Sequence, residues 1–297
     1  MNEGLKIVPP LAITPAMLLA CDVPENDYPV YAAGTTYAAS VYVIHDRVVY
    51  LSQQPGNMGH TPPDSPTWWK KVRATNRWRI FDESNSTMTT AAGSMSYTLK
   101  PGTAVNVIAL LGLVGASVRV RVTVPGYGTP YDKTFSLTPL PAANWWAYLF
   151  GSRMPKDTVT ILDVACPVTG TITLDFAGGT VGCATCILGQ AISIGEGIQL
   201  GATVGIKDYS RKEENEFGDV ELVERPYAKR AAFTMRLAKS EVDYVGTLLA
   251  SRRAKPTLYI GSRLYGSTVV FGLYDDWEVA IEYALFSVCN LNLKGLT

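Results

Sequence analysis

Cys183-Ala-Thr-Cys186 has the spacing of half a zinc knuckle or of a redox dithiol. Neither chemistry is completed around it. No second Cys-x-x-Cys or His pair brings the ligands to four, and a redox dithiol opens a helix after a strand, whereas this pair lies among Gly178, Gly179, Gly182 and Gly189. Buried structural thiols are therefore expected, with no metal held. Only His45 and His60 offer an imidazole, so an enzyme would have to work with carboxylates. The adjacent pairs Asp82-Glu83 and Asp275-Asp276 could divide the acid and nucleophile roles of a glycosidase, but neighbours on a strand point to opposite faces and do not converge on one bond. The glycines of GEGIQLGATVG miss the dinucleotide-binding spacing, and no phosphate loop occurs. The expectation is a non-enzymatic chain with no cofactor and no catalytic residue.

Among the aromatic side chains, Tyr50, Trp68, Trp69 and Trp78 fall within one short stretch of the chain. One of Trp68 and Trp69 is expected to close a miniature core, because a unit this small has few other large side chains to bury, and the other is expected at the surface. Trp78 and Phe81, among Arg77, Arg79 and Asp82, are expected to anchor the start of the next β unit with the charges pairing at its edge. The functional alternative is a ligand groove with an arginine stacked on Trp78.

The elements that must position these rings are mostly strands. Residues 1–29 are rich in proline and small residues without a period, and read as an extended arm lying on a neighbouring surface. Residues 30–75 carry short aromatic and β-branched runs that suggest a small β module. Residues 76–180 contain six strand-like runs; in SVRVRVTV the residues Val118, Val120, Val122 and Val124 alternate with polar ones, and a β-sandwich or jelly roll follows. Residues 181–297 read as an α+β domain on an antiparallel sheet. Its clearest helix is KSEVDYVGTLLASRRA, with Val242, Val245, Leu248 and Leu249 at helical spacing and a capping box at Ser240 and Asp243. The fold class is thus mainly β. The polar run KDYSRKEENEFGDVELVERPYAKR reads as a solvated loop or hairpin, or as a docking loop between subunits.

Bulk properties narrow the partners. In 297 residues, 26 Lys and Arg balance 26 Asp and Glu, so no global field gathers nucleic acid or acidic lipid. The longest apolar stretch, NVIALLGLVGASV, is too short to span a bilayer, and membrane insertion is not expected. Glu3 ahead of Lys6, with Pro9, Pro10 and Pro15 in the apolar run, argues against a secretion signal. Five scattered cysteines fit reduced thiols and synthesis in a cytoplasm.

The segment YAASVYVIHDRVVYLSQQPGNMGHTPPDSPTWW, residues 37–69, resembles the chitin- and cellulose-binding modules of carbohydrate-binding families five and twelve. Val41, His45-Asp46, Val48, Tyr50, Gly59, Pro62 and Trp68 or Trp69 occupy the places of that frame. The resemblance implies that Tyr50, Trp68, Trp69 and Trp78 are the candidate carbohydrate-binding residues, because flat rings on such a scaffold stack against the apolar faces of sugars. In the family the stacking rings follow the Tyr of the second strand, where this chain has Gln53, Gln54 and Pro55, which implies a kept scaffold with an altered recognition surface. RATNRWRIFDESNSTMTT, directly downstream, is similar to a segment of bacteriophage tail proteins that carry such a module. The resemblance implies a virion component of a tail tip or baseplate, made in the host cytoplasm. It would be a homo-oligomer, trimer or hexamer, packed against other phage tail proteins and contacting host-surface polysaccharide. A free carbohydrate-binding protein and a polysaccharide depolymerase are the alternatives.

Overall fold

The computed structural model describes residues 4–84, 86–138, 144–150, 155–214, 220–281, 283 and 285–296. The chain is mainly β, built of several antiparallel sheets, with a small helix in its C-terminal part. Its first residues form two short strands, β1 (Leu5–Val8) and β2 (Leu18–Cys21). This differs from an arm laid on a surface: Leu5, Ile7 and Val8 are wholly buried. Four residues are too few to display a period, and Pro9-Pro10 ends the strand at once, which is why the sequence pattern hides it.

The small module is a meander of β3 (Tyr42–His45), β4 (Val48–Ser52) and β5 (Trp69–Ala74). Asp46 and Arg47 join β3 to β4 with φ of 45° and 68°, the left-handed conformations that a two-residue hairpin turn demands. Tyr37, Val43, Tyr50 and Trp69 form its own small core.

β6 (Thr89–Leu99), β7 (Val105–Leu111), β8 (Ser117–Val124), β9 (Gly128–Ser136), β10 (Thr158–Cys166), β11 (Thr171–Cys183) and β12 (Thr185–Gly189) make a sandwich. One sheet has the order β2-β6-β11-β8-β9 and the facing one β10-β7-β12. Val118, Val120, Val122 and Val124 point into the core between them, as the alternation predicts. β7 is apolar almost throughout because both of its faces are covered. Ile108 and Leu110 face the sandwich core, while Val107, Ala109 and Leu111 join a second cluster with Val8, Leu258, Ile260, Val269 and Phe271 from the C-terminal part.

That part contains β13 (Ile192–Ile194), β14 (Thr203–Asp208), β15 (Arg211–Glu214), β16 (Val220–Val223), β17 (Tyr227–Ala238), β18 (Thr257–Ile260), β19 (Val269–Ala280) and β20 (Phe286–Gly295). Its sheet has the order β13-β1-β18-β19-β20-β17-β14. Between β13 and β14 the chain crosses to β17, with the Glu196 and Gln199 amides donating to the Arg236 and Thr234 carbonyls, so the sheet closes into a barrel. β1 is an interior strand of that barrel, between β13 and β18. The helix Val242–Ser251 packs Val245, Leu248 and Leu249 onto the barrel core. The expected Ser240–Asp243 box does not form. The helix is entered through a 3-10 turn, Lys239–Glu241, and the Glu241 carboxylate accepts the Ala238 amide at 3.2 Å.

Past Asp208 the β14–β17 pair continues as the hairpin β15–β16, for which the sequence offered a hairpin or loop; its tip, residues 215–219, lies outside the described residues.

Candidate carbohydrate-binding site

Trp69 and Tyr50 belong to the core of the module. Trp69 is 2% exposed, meets Tyr37 and Tyr31 edge-on at ring distances of 5.3 and 5.9 Å, and donates its indole N–H to the His60 carbonyl at 2.8 Å. A ring fixed in this way closes the fold and cannot stack on a sugar. Tyr50 faces Val43 across the β3–β4 pair and is 9% exposed.

Trp68 is the ring the module offers outward. It is half-buried, and one face lies against the His60 imidazole at 4.1 Å between centroids and 12° between planes. Around it, Gln53 and Gln54 donate their side-chain amides to the carbonyls of Pro66 and Thr67, both at 2.9 Å, bracing the loop that carries Trp68. The two glutamines are thus engaged in holding that loop. Asn57, fully buried, gives its amide to the Ser52 hydroxyl at 3.1 Å and ties the same loop to β4. The outer surface of the module has a second aromatic pair that the sequence did not single out. Tyr28 stacks on Tyr42 at 4.9 Å, and Arg73 reaches the Tyr28 hydroxyl at 3.5 Å.

Trp78 lies apart, at the junction with the sandwich. An arginine does stack on it, but the cation is Arg47 from the β3–β4 turn, 5.3 Å from the ring centre. Phe81 meets Trp78 at 5.9 Å and Tyr97 at 5.6 Å, so the two rings run from the module into the sandwich core. The neighbouring charges pair with residues 23–27 rather than at a sheet edge. Arg79 bonds Asp27 at 2.6 Å, Asp27 also accepts the Asn76 amide, Thr75 donates to Glu25 at 2.7 Å, and Arg77 donates to the Val23 carbonyl at 2.7 Å. Asp27 and Arg79 are both largely buried, and breaking one member would leave an uncompensated charge. This network fixes the module on the sandwich. Nothing in the local sequence signals it, because its partners lie some fifty positions apart, as in Thr75 with Glu25.

The other candidate chemistries are not assembled. Asp82 accepts from the Ser84 amide and the Thr87 hydroxyl, and burial pushes its carboxyl up. Asp275 and Asp276 sit at an irregularity in β19, where its register against β20 shifts. Cys183 and Cys186 are buried free thiols; Cys183 lies against the carbonyls of Leu111 and Thr185. Burial raises both, Cys186 to about 12. A thiol raised in the folded state ionises first in the unfolded chain. Its stabilising contribution is then complete below the ordinary thiol value and is lost as pH rises toward about 12. Denaturant titrations are expected to show stability falling above about pH 9, by up to about 1.4 kcal/mol per pH unit for each such thiol. Both cysteines should resist alkylation until the chain unfolds.

Among the described residues no helix is long and apolar enough to cross a membrane, and no His/Cys/Asp/Glu group is arranged to hold a metal ion. Comparison with protein-family models and with curated proteins returns no match, so function must be argued from this geometry.

Proposed function

We propose that this chain is a structural component of a phage tail tip or baseplate, assembled as a homo-oligomer against other tail proteins, with the small module turned toward host-surface glycans. The observation that supports it best is the ribbon formed by β14, β15, β16 and the start of β17 at the edge of the barrel sheet. Val204, Ile206, Val220, Leu222 and Val223 are all exposed on it, and every residue of β14 is exposed. A ribbon with so much apolar surface and an open edge gains stability when a partner covers it. Supporting this too is the sharing of one apolar cluster by sandwich and barrel, which lets the body transmit load as a unit. The neutral overall charge suits protein neighbours better than nucleic acid. Mass spectrometry of purified particles tests the proposal: the chain should be present in fixed ratio to other tail proteins, and its absence would sink the assignment. The purified chain should also form trimers or hexamers.

A second function, that of a free carbohydrate-binding protein, draws on the Trp68–His60 stack. Trp68→Ala is expected to abolish binding on a glycan array while changing unfolding free energy by about 1 kcal/mol or less, since the ring is only half-buried. Retained glycan binding in that variant removes Trp68 from the site.

A further inference from the structure

The seam between sandwich and barrel holds a cleft that none of the aromatic candidates touches. One part, of about 640 Å³, is lined by Thr158, Thr160 and Leu162 of β10, by Lys156 and Lys229, and by Ser262, Arg263 and Ser267 before β19. A second part, of about 380 Å³, shares Asp157, Thr158, Lys229 and Val269 with the first and adds Tyr227 and Phe271. Its floor is rigid. Val269, Ile260, Leu111 and Phe271 belong to the cluster that joins the two halves of the molecule, so the cleft cannot collapse without breaking that core.

The lining is amphipathic in the manner of a sugar site. Thr158, Thr160 and Leu162 are alternate residues of one strand and line the same side of the cleft. The Thr160 hydroxyl is buried in the cleft wall without a hydrogen-bond partner among the described residues. Ser262 and Ser267 add hydroxyls, and the half-exposed Tyr227 ring adds a flat apolar surface. Charge selects further. Lys156, Lys229 and Arg263 stand against Asp157, which accepts the Thr158 hydroxyl at 3.0 Å. Arg263 is bound to Asp163, which the irregular β10 backbone presents at a φ of 60°. Even with Asp163 counted, cations exceed carboxylates.

We infer that this cleft binds an acidic saccharide, its sugar rings on the apolar floor and Tyr227, its carboxylate or phosphate groups between Lys156 and Lys229. The inference rests on the glycan-contacting part of the proposed function and adds to it a second contact, at the seam. Isothermal titration of the whole chain tests it with three probes. These are an oligosaccharide alternating glucuronic acid and N-acetylglucosamine, a neutral N-acetylglucosamine oligomer, and poly(glycerol phosphate). Binding of either acidic probe and weaker binding of the neutral one is expected, and which acidic probe binds tells carboxylate from phosphate. Lys229→Ala and Lys156→Ala should each weaken binding on the order of tenfold, as expected for loss of a charge-assisted hydrogen bond, with the melting temperature unchanged. Trp68→Ala should bind as the unaltered chain does. Equal affinity for neutral and acidic probes, no binding at millimolar ligand, or binding lost in Trp68→Ala but kept in Lys229→Ala would overturn the inference. A chain found in particles that fails these tests loses only the cleft. Binding by a chain absent from particles would overturn only the tail assignment.

Discussion

Ile7→Asp is expected to unfold the barrel, or to lower its stability by at least about 4 kcal/mol, because it places an unpaired carboxylate in a closed apolar core. Ile7 is wholly buried in the cluster of Leu5, Phe233, Met235, Leu249 and Leu291, and its strand is hydrogen-bonded on both sides, to β13 and to β18. A cost of that size is a large share of the roughly 5–15 kcal/mol that holds a domain together. The matched control lies in the next strand. Leu19, in β2, is 54% exposed, and Leu19→Asp should stay within about 0.5 kcal/mol. Urea unfolding followed by circular dichroism separates the two substitutions. If both are tolerated equally, residues 5–8 are not an interior strand in solution.

The same strand shows where sequence patterns stop informing the fold. Period-two alternation is visible in SVRVRVTV because eight residues lie between one wet face and one dry face. It vanishes in LKIV, whose neighbours come from the far end of the chain, and in VNVIALL, where two cores cover both faces. Barrel closure is invisible for a related reason: it depends on Glu196 and Gln199 meeting β17, and backbone hydrogen bonds leave no mark on residue choice. The candidate site divides along similar lines. That one tryptophan of the pair closes the module follows from size and scarcity alone, whereas the face-to-face contact of Trp68 with His60 and the cation of Arg47 over Trp78 depend on how loops fold back. The seam cleft is beyond any local pattern, since its hydroxyls and lysines come from β10, β17 and the segment before β19.

Trp69→Ala is expected to cost about 3–5 kcal/mol, the range for truncating a buried aromatic, and to act locally. Trp69 supplies the largest side chain of the module's core, two edge-on aromatic contacts and the indole hydrogen bond to His60. With Tyr37, Val43 and Tyr50 as the other buried members of that cluster among the described residues, the module has no reserve to refill the cavity. The sandwich core shares none of these residues, so its stability is separate. Hydrogen exchange should therefore show the amides of β3, β4 and β5 losing protection while those of β6, β8 and β11 keep theirs. Uniform loss across all six strands would mean that the Arg79–Asp27 network couples module and sandwich into one cooperative unit, since that junction is the polar tie through which unfolding would spread.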